Sequence, residues 1–72
     1  MTSQLPLSVL VVESGRDAGA TAELLRRYGH AVRVAASGPG ALMAIAADRP
    51  DAVVLDLDLP GMSGWELAER LR

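Results

Sequence analysis

Three short apolar runs, separated by polar and glycine-containing segments, mark the chain. They lie at residues 7–12, 31–35 and 52–56 and consist largely of valine, leucine and alanine. Runs of this length and composition are typical of β-strands that are covered on both faces. A turn is predicted at Leu59-Pro60-Gly61, because proline and glycine favour tight reversals of the backbone.

Three further segments carry apolar residues at helical spacing. The first helix is predicted over 17–28 and is followed by a glycine, a common helix terminator. The second is the alanine-rich run 41–47, for which Ser37-Gly38-Pro39 is a start signal. The third opens at Ser63, since the Ser-x-x-Glu spacing there is that of a capping box. We expect Trp65, in this third helix, to be a packing residue.

Strands and helices that alternate in this way specify right-handed crossovers and a parallel sheet with helices on its faces. The predicted fold class is therefore α/β, with three strands and three helices. We assign residues 7–72 to one domain that ends within the third helix, and residues 1–6 to an N-terminal leader.

Composition excludes several classes of protein. The 72 residues include no cysteine, which rules out a disulfide framework and a thiolate metal site. The net charge is −2 and the seven arginines are scattered, so no basic surface for nucleic acid is predicted. The longest apolar run, 41–47, is shorter than the roughly 18 residues that a membrane span requires. We expect a soluble cytoplasmic protein with neither nucleic-acid nor membrane partners.

Two carboxylates stand where predicted strands end: Glu13 follows the first strand and Asp56 closes the third. Ligands of an open parallel sheet collect at the carboxyl ends of its strands, so the two side chains can approach each other if these strands are neighbours. Paired carboxylates repel unless a cation or a proton intervenes. Mg²⁺ commonly takes one or two carboxylates and a phosphate oxygen, and a carboxylate beside it can act as a nucleophile. The plainer alternative makes Asp56 a strand-terminal acid that accepts backbone hydrogen bonds.

The chain also resembles a known family through the segments VLVVES, LLRRYGHAVRVAASGPGAL and RPDAVVLDLDLPGMSGWEL. Together they are similar to the N-terminal half of the receiver domain of bacterial response regulators, the phosphoacceptor of two-component signalling. The resemblance implies a truncated flavodoxin-like unit whose three-stranded parallel sheet has the order 2-1-3. It also implies that Asp56 is the phosphoacceptor, and that Glu13, Asp56 and the backbone carbonyl of Asp58 bind Mg²⁺.

By the same resemblance, the partner is a sensor histidine kinase or a phosphotransfer protein. Any enzymatic activity is then at most a Mg²⁺-dependent phosphorylation of the chain itself, from a phosphohistidine or a small phosphoryl donor.

The chain departs from the family pattern in two places. Ser14 stands where the family has a second acidic residue, so we expect Mg²⁺ binding to be weakened or lost; alternatively, Ser14 caps the first helix. In addition, the chain contains no lysine. It ends before the two strands that in the family carry a serine or threonine and a lysine against the phosphoryl group.

Without those two strands, the third strand is left as an exposed apolar edge, which favours pairing with another chain. We therefore expect a homodimer joined through this strand. Three functions stay open: a phosphoacceptor, a phosphate-independent dimerisation or protein-interaction module, and a different flavodoxin-like ligand binder that uses the same sheet edge. Substitution of Asp56 distinguishes the first from the second.

Overall fold

The computed structural model of the chain describes residues 6–15, 17–56, 58–59 and 62–71. Its elements in chain order are β1 (Ser8–Val12), α1 (Asp17–Arg27), β2 (Ala31–Ala35), α2 (Gly38–Ala47), β3 (Ala52–Leu55), β4 (Asp58–Leu59), β5 (Met62–Ser63) and α3 (Gly64–Arg70). The predicted leader, apart from Pro6, and the predicted turn residues Pro60 and Gly61 lie outside the described residues.

The first three strands form one parallel sheet in the order β2-β1-β3. Val12 pairs with Ala35 on one side and with Leu55 on the other. This confirms the predicted flavodoxin-like α/β fold with strand order 2-1-3. Because β1 is the central strand, Leu10, Val11 and Val12 are completely buried. Burial on both faces explains why β1 is an uninterrupted apolar run and not an alternating one.

Helices cover both faces of the sheet. Leu10 and Val12 belong to a buried cluster with Ala41 of α2 and Leu67 of α3. Successive side chains of a strand point to opposite faces, so Val11 lies on the other face, where α1 packs against β1 and β2. Among the described residues, every helix is too short or too polar to cross a membrane.

The ends of α1 and α2 combine local and long-range contacts. Gly29, which follows α1, has a φ of 93°, a left-handed conformation that glycine adopts without strain. Ser37 is the N-cap of α2, and its hydroxyl accepts a hydrogen bond from the N–H of Gly40 at 3.0 Å. At the other end, the Arg33 guanidinium from β2 donates to the carbonyl of Ala44 at 3.0 Å and to that of Asp48, the residue that follows α2. The start of α2 was predictable from sequence, but the contact with Arg33 was not.

The segment after β3, predicted as a turn, also contains two short strands. β4 and β5 pair antiparallel, with Asp58 opposite Ser63 and Leu59 opposite Met62. This hairpin packs closely on the start of α2: a Cβ atom placed on Gly38 would lie 2.5 Å from the Cβ of Met62. Glycine at the first position of α2 is therefore required by the close approach of β5.

The start of α3 confirms one prediction and corrects another. Ser63 is the N-cap, and its hydroxyl accepts a hydrogen bond from the N–H of Glu66 at 3.1 Å. Leu67 is completely buried, whereas Trp65 is 69% exposed. Trp65 was predicted to be a packing residue, and its exposure shows that this prediction is wrong. Side chains two positions apart on a helix point in different directions, and in α3 the side chain of Leu67 points towards the core.

Candidate functional site

Glu13 and Asp56 lie at the carboxyl edge of the sheet, directly after β1 and β3. The N–H of Asp56 donates to the carbonyl of Val12 at 2.9 Å, and the N–H of Glu13 donates to the carbonyl of Ala35 at 3.1 Å. These bonds extend the parallel ladders past the last residue of each strand, so the backbone of both acids is held in place. Because β1 and β3 are neighbours, the structure places both acids at the same edge.

One of the two carboxylate oxygens of the half-buried Glu13 is hydrogen-bonded to helix α1. Its Oε2 accepts a hydrogen bond from the hydroxyl of Thr21 on α1, with 3.5 Å between the two oxygens. Its Oε1 is buried and has no hydrogen-bond partner in the described part of the chain. Leaving a buried polar group unpaired costs about 1–3 kcal/mol, and more for a charged group. An atom in this state is suited to bind a cation or an ordered water.

The residues at this edge fit a Mg²⁺ ion. Mg²⁺ is commonly bound through one or two carboxylates while it keeps several waters, and Glu13 and Asp56 supply that number. Asp58 begins β4, in the hairpin that follows β3. Among the residues that the structure describes, no three His, Cys, Asp or Glu side chains converge on a common metal position. An ion here would therefore depend on these two acids together with main-chain and water oxygens.

Ser14 lies next to Glu13 and is half-buried. Helix α1 begins at Asp17, so Ser14 does not occupy the position directly before the helix, where an N-cap residue lies. The start of α1 thus gives no support to the alternative that Ser14 caps this helix. At the sheet edge, the position after Glu13 carries a hydroxyl group in place of a second carboxylate.

Thr21, which contacts Glu13, was not among the site residues predicted from the sequence. It is the one hydroxyl residue of α1, and its neighbour Ala22 is completely buried. The sequence feature that could have indicated this contact is a hydroxyl residue next to an apolar, sheet-facing residue in the helix that follows β1. That signal is weak, because the contact depends on the path of the loop between Glu13 and the helix.

The chain was compared with protein families and with curated relatives. Residues 9–72 match the family model described as the response regulator receiver domain. The chain is 44% identical over 72 residues to the response regulator MprA of Mycolicibacterium vanbaalenii, an alignment that covers 94% of this chain and 30% of that protein. It is 42% identical over 66 residues to the transcriptional regulatory protein AfsQ1 of Streptomyces coelicolor, with 90% and 29% covered. The chain thus spans about 30% of the length of these relatives.

The fold was also compared with solved structures. The chain matches the crystal structure of NtrX from Brucella abortus with a TM-score of 0.85 and 31% sequence identity. The match covers 93% of this chain and 16% of the NtrX chain. The chain also matches the crystal structure of a putative response regulator from Chloroflexus aurantiacus with a TM-score of 0.85 and 41% sequence identity, and this match covers 93% of this chain and 56% of that chain.

Proposed function

The chain belongs to the family of response regulator receiver domains, and from this premise we propose that it accepts a phosphoryl group on Asp56 within a two-component system. The donor is a sensor histidine kinase or a phosphotransfer protein. One observation carries the proposal: Asp56 and Glu13 share one edge of the parallel sheet, where a buried oxygen of Glu13 has no hydrogen-bond partner among the residues that the structure describes.

The proposed reaction transfers a phosphoryl group from a histidine nitrogen of the donor to a carboxylate oxygen of Asp56. A carboxylate oxygen of Asp56 attacks the phosphorus of the donor phosphohistidine and forms a P–O bond. The P–N bond of the donor breaks, and the electron pair of that bond stays on the imidazole nitrogen. The hydrogen bond to Val12 keeps the Asp56 backbone at the sheet edge. Bound Mg²⁺ would offset the negative charges of the carboxylates and the phosphoryl oxygens. Glu13 and Asp56 would hold the ion through their carboxylates and Asp58 through its backbone carbonyl, while Ser14, in place of an acid, lowers the expected affinity.

Phosphorylation from a small donor tests this proposal. The chain is incubated with acetyl phosphate and MgCl₂, and the phosphorylated fraction is measured by intact-protein mass spectrometry. We expect labelling of the unmodified chain and none of Asp56→Asn. Asp58→Asn is the matched control, because this residue is proposed to act through its main chain and labelling should persist. Failure to label the unmodified chain, or equal labelling of Asp56→Asn, would contradict the proposal.

A second candidate function is favoured by the edge of β3. In the described sheet β3 pairs with β1 on one side, and Val54 of β3 is 37% exposed. An apolar edge strand can pair with an equivalent strand of another molecule. Two copies related by a two-fold axis would join β3 to β3 in antiparallel orientation. We propose that this polypeptide forms such a homodimer independently of phosphorylation.

Light scattering across a micromolar concentration series tests the dimer. We expect a dimeric mass for the unmodified chain and for Asp56→Asn. Val54→Lys should give a monomer, because a charged side chain on an edge strand opposes strand pairing. A folded monomer at every concentration of the unmodified chain would exclude this second function and leave the phosphoacceptor proposal untouched.

A further inference from the structure

We infer that Thr21 is a positioning residue for the proposed cation site: its hydroxyl holds Oε2 of the Glu13 carboxylate, which would leave Oε1 to bind a metal ion. This inference rests on the proposed binding of Mg²⁺ at the sheet edge. It assigns Thr21 a role that acts through Glu13 and involves no direct contact with the ion.

The two oxygens of Glu13 have different surroundings. Oε2 accepts the hydrogen bond from Thr21, whereas the buried Oε1 has no partner among the described residues. The last torsion of a glutamate side chain is broad, so an unrestrained carboxylate samples many orientations. With Oε2 held by Thr21, the direction of Oε1 is defined as well. Because the Thr21 hydroxyl occupies Oε2, Oε1 is the oxygen that would be left to bind an ion.

Thr21 can serve this purpose because α1 is anchored to the sheet. Ala22, the next residue, is completely buried, and rotation of the helix that displaced Thr21 would expose it. Gly15, between β1 and α1, has a φ of 89°, which allows the chain to reverse after Glu13. The reversal brings α1 back over the end of β1, where Thr21 meets Glu13.

The composition of the site makes this contact important. A serine at position 14 leaves fewer carboxylates beside the ion, so more of the binding depends on the orientation of Glu13. Carboxylates that bind metals are usually held by hydrogen bonds of their own, and loss of such a bond typically weakens metal binding about 10–100-fold. At 3.5 Å the bond from Thr21 is long, which favours the lower end of that range.

A Mg²⁺ titration of the 72-residue chain tests the inference. Binding of MgCl₂ is followed by the amide chemical shifts of Glu13 and Asp56 in ¹⁵N-labelled protein. We expect Thr21→Val to raise the dissociation constant about tenfold, because valine keeps the shape but cannot donate a hydrogen bond. Thr21→Ser keeps the donor and should bind Mg²⁺ nearly as tightly as the unmodified chain. If the valine variant does not fold, Thr21→Ala replaces it in the same comparison.

Two further measurements distinguish a positioning role of Thr21 at the metal site from a merely structural role in packing. Glu13→Gln should weaken binding strongly, and Thr21→Val added to it should cause no further loss, since Thr21 acts through the Glu13 carboxylate. Urea unfolding in EDTA measures the metal-independent cost of losing the Thr21 donor, which Thr21→Val bears and Thr21→Ser does not. The Mg²⁺ titrations are then compared under conditions where both variants are fully folded, so that the difference in affinity reports on the site.

Several outcomes would overturn the inference. Unchanged Mg²⁺ affinity in Thr21→Val, equal losses in the valine and serine variants, or a full additional loss on the Glu13→Gln background would each remove Thr21 from the site. If the unmodified chain shows no Mg²⁺-dependent shifts, the proposed metal binding fails first, and the role of Thr21 fails with it.

Discussion

Replacement of Gly38 by alanine is expected to destabilise the protein and to displace the β4–β5 hairpin. Gly38 is the buried first residue of α2, and a Cβ atom there would lie 2.5 Å from the Cβ of Met62. It would also lie 2.9 Å from the sulfur and 3.0 Å from the Cγ of that side chain. Rotation of Met62 can move the sulfur and the Cγ, but its Cβ is attached to the backbone of β5. The hairpin or the helix must therefore shift.

The expected cost follows from two opposing effects. Inserting an extra carbon into a packed interior typically costs about 1–3 kcal/mol. Alanine has a higher helix propensity than glycine, which raises the free energy of unfolding by up to about 1 kcal/mol and by less at the first position of a helix. The free energy of unfolding should therefore fall by about 1–2 kcal/mol, which is large for 72 residues, since a core of this size rarely supplies more than about 3–5 kcal/mol.

Urea denaturation followed by far-UV circular dichroism measures this change. Gly19→Ala in α1 is the matched control, because nothing lies within 4 Å of a Cβ atom there. It should stabilise the protein by about 0.5–1 kcal/mol. Met62→Gly removes the contacting atom, so Gly38→Ala should cost less in that background. If Gly38→Ala does not destabilise the chain, or costs as much with glycine at position 62, the argument from the close contact is refuted.

Two further changes test contacts at helix ends. Ser63→Ala should lower the free energy of unfolding by about 1 kcal/mol, since it removes the acceptor for the N–H of Glu66, whereas Ser63→Asp should retain most of the stability in the same urea experiment. Arg33→Met should cost about 1–2 kcal/mol and speed amide hydrogen exchange in the last turn of α2, because it removes donors to carbonyls there. Equal stability of Arg33→Met and the unmodified chain would show that these bonds are not needed.

The elements that positioned the candidate site were largely predictable. Each of the three main strands is a short, largely apolar segment, and Ser37 and Ser63 mark the starts of helices that the structure confirms. Glu13 could be assigned to a strand end because a charged residue does not continue a strand that is buried on both faces, and Asp56 because it ends the apolar run of β3. That β1 and β3 are neighbours came from the family resemblance, since periodicity does not specify strand order.

Several local features of this protein follow from its amino-acid sequence alone: the period of each apolar pattern, the capping serines, the glycines with positive φ and the acids that follow two strands. Each of these depends on interactions within a few residues, so a short window of sequence contains the information.

Contacts between residues that are distant in the chain are visible only in the folded structure. The hydroxyl of Thr21 reaches Glu13, Gly38 accommodates Met62, and Trp65 is left exposed while its near neighbour enters the core. A helical or strand period shows that one side of an element is buried, but not which side chain lies opposite. That choice depends on loop paths and on how the layers pack, and both arise only when the whole chain has folded.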